Sequence, residues 1–366
     1  MTDTGTHTDT AAEGAPLGVA LAAALDGANV VDDLGSPTAG DYGDLDDEYR
    51  LLRSDAAVVD RSVGGAVRVV GRDARSFLDS LLSQDLTVLG DGEGAHSLLL
   101  QPQGKLTADF RLLQLGAEEF WLDTDVGVGA PLAAGLNRFK IRVQVDVLDI
   151  SAQHGRITVK GPNAASRVAD ALDVTIPDHQ HAHVGWRGGR VVRADWPSVA
   201  GVDVVGPRDI VAEARSVLTA AGVPRAGLLA LEALRVENGV PRQGHELDES
   251  TIPQEAFLER DAVSFTKGCF LGQELVCRID TRGHVNRQLR GVVVGDLAGA
   301  DREPVVGAEI YAGEKAVGRV TTVARTPRLG IVALALLRRE VEPPAPVTVE
   351  VGDGRVAAEA RELPLA

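Results

Sequence analysis

One piece of local grammar occurs twice in this chain. Ala66-Val67-Arg68-Val69-Val70 alternates like a half-buried strand and runs through Gly71-Arg72-Asp73-Ala74 into a helical stretch with Phe77, Leu78, Leu81 and Leu82 on one face. Arg156-Ile157-Thr158-Val159 does the same, passing through Gly161-Pro162-Asn163-Ala164 into a helix that carries Val168 and Leu172. Strand, Gly-x-Asp/Asn-Ala, helix, stated twice, predicts two related α+β subdomains. Asp73 suits a helix start because its side chain can accept from a free N–H. Between the copies lies a hairpin: Ser97-Leu98-Leu99-Leu100, the turn Gln101-Pro102-Gln103-Gly104, then Lys105 to Leu112.

Helices are expected over 207–222 and 227–237, the second ending at Asn238-Gly239, a C-terminal cap signal. Beyond Gly283 the pattern changes to short β-rich runs: 289–294, 309–312, 317–323, 330–335 and 347–351. Gly, Pro and Asp separate them, which predicts a small antiparallel β-barrel as a separate domain. The expected division is an acidic, mobile tail over 1–45, with one short helix near Val19–Leu25. Two subdomains follow over 46–150 and 151–285, then the barrel over 286–366. The fold class is α+β.

The 366 residues leave room for roughly two or three such units. Apolar and charged fractions of 44% and 25% fit an ordinary globular core. The net charge of −16 is concentrated: residues 1–48 hold eleven Asp and Glu and no Lys or Arg, leaving −5 for the rest. Such a chain lacks the basic footprint of nucleic-acid binding, so no direct nucleic-acid contact is expected. The start is acidic rather than positive, unlike a secretory signal, and the run Leu17–Leu25 is too short to span a bilayer. A cytoplasmic protein without a membrane partner is expected. Cys269 and Cys277 are the only cysteines; on one helix they stand roughly 12 Å apart, too far to bridge. No metal site is expected.

The densest unusual chemistry is Lys267-Gly268-Cys269-Phe270-Leu271-Gly272-Gln273-Glu274, ahead of a helical run. A thiol near a helix N-terminus and a lysine is biased toward thiolate; the bland alternative is a half-buried structural cysteine. Arg235-Val236-Glu237-Asn238-Gly239 is either a solvated helix end or an arginine over a pocket. Gly104-Lys105 lacks the other elements of a phosphate loop, so Lys105 reads as a strand-edge charge. His179, His181 and His183 alternate, but no Cys or Glu completes a zinc set, and a polar surface strand is the simpler reading. Trp186 and Trp196 either pack or wall a flat ligand.

The Lys267–Glu274 stretch, followed by Arg278 and Arg282-Gly283, resembles the signature of the YgfZ family of folate-binding proteins, paralogues of the glycine cleavage T-protein (aminomethyltransferase). The likeness extends upstream through Glu232-x-x-Arg235-x-Glu237-x-Gly239-x-Pro241 and Ile252-Pro253-Gln254-Glu255-Ala256. It continues at Ala57-Val58-Val59-Asp60-Arg61-Ser62, Gly71-x-Asp73-Ala74-x-x-Phe77-Leu78 and Gly104-Lys105-Leu106-x-Ala108-Asp109. It implies two intertwined α+β subdomains and a C-terminal β-barrel around a hole that binds tetrahydrofolate. It also implies a role in maturing or repairing iron–sulfur enzymes, including tRNA-modifying ones, with iron–sulfur client proteins as transient partners and no obligatory turnover. Carried over, Cys269 is the functional thiol, and Lys267, Gly268, Gly272, Gln273 and Glu274 shape its corner. Arg235 and Glu255 are pocket residues by position.

Two departures bear on the alternative, a folate-dependent one-carbon transferase acting on aminomethyl or methylamine donors. T-proteins carry Asp-Asp in the second hairpin strand, the first being catalytic; here that position is Ala108 and only Asp109 remains. Without the first carboxylate, aminomethyl transfer is expected to lose its proton-handling group. T-proteins also hold the pterin with a Glu in Tyr-Thr-Gly-Glu-x-Gly; here Trp196 to Gly201 is the matching stretch and Val199 stands for the Glu.

Overall fold

The computed structural model describes residues 27–295 and 303–365. The short helix expected near Val19–Leu25 lies outside them. The described chain begins with a hairpin, β1 (Asn29–Asp33) and β2 (Ser36–Asp41), then α1 (Leu45–Ser54) and β3 (Ala57–Asp60). The first repeat copy follows as β4 (Gly65–Val70), α2 (Ala74–Leu81), β5 (Gly94–Leu100), β6 (Leu106–Gly116), β7 (Glu119–Thr124) and α3 (Gly129–Asn137). After β8 (Asp146–Asp149), the second copy runs β9 (His154–Lys160), α4 (Ala164–Leu172), β10 (His183–Trp186), β11 (Gly189–Arg193), β12 (Gly201–Pro207) and α5 (Arg208–Ala220).

The two sheets have matching orders, β5-β6-β7-β4-β8 and β10-β11-β12-β9-β3. Each short strand ahead of a copy pairs into the other copy's sheet. β3 lies antiparallel to β9, with Val58 opposite Val159, and β8 lies antiparallel to β4, with Val147 opposite Val69. The exit from each exchanged strand repeats as well. Asp60 accepts the Ser62 N–H at 2.8 Å, and the Ser62 Oγ accepts from the Arg156 backbone. Asp149 accepts the Ser151 N–H at 3.0 Å, and the Ser151 Oγ accepts from the Ala66 backbone.

The repeated glycine has a backbone reason. Gly71 and Gly161 sit at φ +144° and +135°, and a Cβ on either would strike a carbonyl, Gln144 O or Asp55 O. Both copies then bury one sheet face under their helices. Val67, Val69, Phe77, Leu112 and Leu132 form one core; Ile157, Val159, Val168, Val204 and Val211 form the other. Strand alternation sends Ala108, Phe110 and Leu112 into the first core and Asp109 and Arg111 out of its opposite face. The exposed-face residues of the two sheets thus face each other.

The region 29–41, expected in the mobile tail, is instead a hairpin tied to the body. Asp33 is buried against the Arg242 guanidinium at 3.0 Å, and Glu48 accepts the Gly227 N–H at 2.7 Å. Acidic composition misled here because Asp33 has a buried partner. The long helix α6 (Leu228–Asn238) is buried nearly all round and ends at Gly239 in the left-handed conformation, as the Asn-Gly signal predicts. A 3₁₀ turn (Pro253–Glu255), α7 (Glu259–Ala262) and α8 (Gln273–Arg282) lead to the last domain.

That domain is a closed antiparallel barrel of β13 (Arg287–Val294), β14 (Glu309–Ala312), β15 (Lys315–Thr326), β16 (Gly330–Arg338), β17 (Ala345–Val351) and β18 (Gly354–Arg361), in the order β13-β16-β15-β14-β17-β18. The sequence pattern does not announce β18, whose GRVAAEAR carries little β-propensity. It forms because β13 and β17 both need a partner edge. No helix among the described residues is long and apolar enough to cross a membrane.

Gly71→Ala and Gly161→Ala should each lower stability by about 1–3 kcal/mol in urea titrations. Gly116→Ala, with open space at its Cβ, should change it by less than about 0.5 kcal/mol. Equal effects at all three positions would remove the steric reading of the repeat.

Candidate active site

The facing sheets enclose a cavity of ≈ 700 Å³. β5, β6 and β7 wall one side, and β9, β12 and the loop 194–197 the other; residues 238–241 at the end of α6, the stretch 256–261 and Leu363-Pro364 after the barrel close the rest. Its walls carry charge of both signs. Arg111 spans the two sheets, donating to Asp123 of β7 and to Asp203 of β12, both at 2.8 Å. Desolvation disfavours both carboxylates as anions, but Arg111 together with Arg156 and further partners outweighs it and holds them below the usual carboxylate range. Asp125 behaves alike: burial raises its pKa, yet Arg242 and Arg61 pull it down to about 2.

Three further groups line the cavity. His96 Nε2 lies 2.5 Å from Asp109 Oδ1; burial works against the imidazolium, but the Asp109 charge and hydrogen bond win and raise its pKa. The Asp109 backbone N–H donates to Gln243 Oε1 at 2.9 Å, which fixes this stretch of β6. His181, pushed down to about 3 by burial and by Arg111, keeps a buried Nδ1 without a partner. Lys160, 1% exposed, donates Nζ to the Ala194 carbonyl and sits 4.2 Å from the Trp196 ring centre. Burial drives its pKa down to about 7.

The hairpin departure now has a different meaning. Ala108 is fully buried in the apolar core, so a carboxylate there would face away from the cavity. Asp109 is the residue on the cavity wall. The expectation that Ala108 strips the cavity of its hairpin carboxylate is therefore corrected by strand alternation. Val199 packs with Tyr49, Leu52 and Leu231 and is absent from the cavity wall, whereas Asp195 and Trp196 of the same loop are on it.

None of the eight residues expected at the site from the resemblance lies on that wall. Arg235, 1% exposed, spends its guanidinium on Glu232 at 2.9 Å, Glu246 at 2.8 Å, the Val240 carbonyl and Thr322 Oγ1. This corrects its placement: it locks α6 to the barrel behind the wall. Glu255 caps the 3₁₀ turn through the Ile252 N–H at 3.0 Å and pairs with Arg287 at 2.8 Å. Lys267 donates Nζ to Asp79 Oδ1 and to the carbonyls of Asp79, Leu82 and Gln84. Gln273 accepts the Phe270 N–H at 3.0 Å; Gly268, Cys269 and Glu274 are exposed. Cys269 precedes α8 and is unpaired.

The signature corner meets the cavity's hairpin indirectly. A Cβ on Gly104 would lie 2.7 Å from Leu275 Cβ, and one on Gly272 would strike the Gln101 carbonyl. His183 is buried with Nε2 3.0 Å from the Gln114 carbonyl and His181 is half-buried, so this run is not the surface strand expected. No group of three or more His, Cys, Asp or Glu suited to a metal occurs among the described residues. Sequence reasoning missed His96, Arg111, Lys160 and Asp203, and took His181 for a surface residue. Their signal was a polar residue at every second place in strands otherwise made of Val, Leu and Ile, as in Ile157-Thr158-Val159-Lys160.

Comparison with known proteins agrees with this geometry. The GCVT N-terminal domain matches residues 23–267, and the glycine cleavage T-protein C-terminal barrel domain matches 287–366. The chain belongs to the glycine cleavage T-protein family. It is 29% identical over 345 residues to an aminomethyltransferase of Thermus thermophilus, covering 92% of this chain and 95% of that one. It is 28% identical over 334 residues to an aminomethyltransferase of Corynebacterium aurimucosum, covering 87% and 89%. The crystal structure of the glycine cleavage system aminomethyltransferase T from Bartonella henselae shares the fold, with TM-score 0.84 at 22% identity over 95% of this chain and 97% of that one.

The Lys160 shift has a thermodynamic sign. Its amine has a folded pKa of about 7 against 10.5 for the free side chain. Between those values the unfolded chain binds more protons, so this group makes stability rise with pH. Relative to Lys160→Met, wild type should gain unfolding free energy from about pH 7 to pH 10. Parallel stability curves would show an ordinary, charged lysine.

Proposed function

We propose that this chain binds a reduced folate in the central cavity and acts on the one-carbon unit it carries, as a folate-dependent transferase. The observation that carries this reading is Asp109, a hairpin carboxylate directed to the cavity and paired with His96 at 2.5 Å. The residues present suit such a ligand. A volume of ≈ 700 Å³ falls within the range of small-molecule sites. Asp109 and Asp195 can accept pterin N–H groups, and Trp196 and Phe257 offer flat apolar walls. His181 Nδ1 and Arg156 Nε are buried without partners and would be satisfied by polar atoms of a ligand. Tetrahydrofolate, when bound, supplies a ring nitrogen that carries the one-carbon unit. The protein's part is to exclude water, orient the ligand, and hold or move a proton at the His96–Asp109 pair.

Calorimetric titration with tetrahydrofolate should show binding by wild type and at least tenfold weaker binding by Asp109→Asn, about 1.4 kcal/mol. Tetrahydrofolate-dependent turnover with an aminomethyl donor should fall with the same substitution. No heat with wild type would retire the folate reading; binding without turnover would retire the transferase.

A second reading follows the YgfZ resemblance: a tetrahydrofolate-binding accessory to iron–sulfur enzymes in which Cys269 acts as a thiol. The exposed Cys269 sulfur on a corner anchored by Lys267 favours it. In a deletion strain, Cys269→Ser should then fail to complement while binding folate normally. Full complementation would remove the thiol's role.

A further inference from the structure

Lys160 is out of place as a structural residue. It is 1% exposed, and no carboxylate among the described residues lies within ion-pair distance of it. A buried ammonium without a counter-ion is costly, and most folds avoid it or neutralise the amine. Here the chain accommodates the side chain deliberately. A Cβ on Gly201 would collide with both the Lys160 Nζ and the Ala194 carbonyl that Nζ donates to, so only glycine leaves the amine its place. The Trp196 ring closes one side at 4.2 Å, and Lys160 is among the residues that line the cavity. One backbone acceptor and the Trp196 ring face occupy two sides of the amine, and no other hydrogen-bond acceptor holds it among the described residues.

We propose that Lys160 is a carbonyl-trapping amine, which forms an imine with a small aldehyde entering the cavity. The folate reading is not needed for this; it requires the amine, the cavity and an aldehyde small enough to enter. The Nζ lone pair attacks the aldehyde carbon and forms a C–N bond. The carbonyl oxygen takes up a proton to give a carbinolamine, then leaves as water with the second amine hydrogen, and C=N remains. No oxidant or reductant is consumed. Chemically, the fit is to a one-carbon aldehyde: Gly201, Ala194 and Trp196 crowd the nitrogen, and formaldehyde is the smallest member of its class.

Electrostatics supports the geometry. Desolvation is the largest influence on the amine and lowers its pKa to about 7; Arg111 of β6 and Arg61 after β3 lower it further, while Asp203 of β12 and Asp195 of the adjoining loop oppose them. At pH 7 about half of Lys160 is therefore nucleophilic, against about one part in three thousand of an ordinary lysine.

The test is reductive methylation of the folded, folate-free full-length protein with limiting formaldehyde and cyanoborohydride, which reduces the imine to N-methyl-lysine. Peptide mapping follows the five lysines separately. At pH 7, Lys160 should be methylated at least about tenfold faster than the exposed Lys105, Lys140 and Lys315. Its rate should level off just above pH 7, whereas theirs keeps climbing. In urea the advantage should vanish. Lys160 reacting no faster than the exposed lysines, or climbing with them to high pH, overturns the proposal. Because wild type is labelled, the result does not depend on a variant folding, and folate binding is scored separately by calorimetry.

Discussion

Neither sheet of this protein can be completed by its own half of the chain. β3 must cross to β9 and β8 must cross to β4, so each five-stranded sheet closes only when the other copy is present. The exchange also fixes how the halves face one another. Helices cover one face of each sheet, and the bare faces are held opposite, where Arg111 of one sheet reaches Asp203 of the other. The cavity is what remains between two faces whose side chains are polar at every second position. A ligand site here is a product of topology first and of individual side chains second.

Behind the cavity, buried charge does the joining. From the β1–β2 hairpin, Asp33 pairs with Arg242; Arg242 also meets Glu232 at 3.0 Å and Asp125 at 3.5 Å; Glu232 pairs with Arg235, and Arg235 with Glu246. On the other side of α6, Glu237 accepts from Tyr49 at 2.8 Å and from Arg53 and Arg328. Removing one member of such a network leaves its partner charged and dry, which typically costs about 3–5 kcal/mol. The helix is therefore specified by charge pairing as much as by Leu and Val packing.

The architecture was legible in the sequence where periodicity and turn chemistry coincide: both repeat copies, the hairpin, the Asn238-Gly239 cap and five barrel strands. The sixth strand escaped because alanine carries no strand preference, and the β1–β2 hairpin escaped because its acidic residues looked unpartnered. The site was less legible. Arg235 and Lys267 drew attention as charges close to glycines and Glu255 by its position in the resemblance, but a charge that must be buried to join three elements leaves the same trace as one that meets a ligand. Ala108 and Asp109 differ only in which face of β6 they occupy, and sequence register alone did not decide it. Lys160 drew no attention in the sequence, because what sets it apart is the placement of Gly201 and Trp196 around its amine.

The close approach of Gly104 and Gly272 has a mechanical consequence. The tip of the hairpin that bears Asp109 rests on the corner that bears Cys269, with Gly104 against Leu275 and Gly272 against the Gln101 carbonyl, and neither glycine leaves room for a side chain of its own. A side chain larger than hydrogen at Gly104 or Gly272 would therefore press the two loops apart, and the strain would fall on the turn that leads into β6.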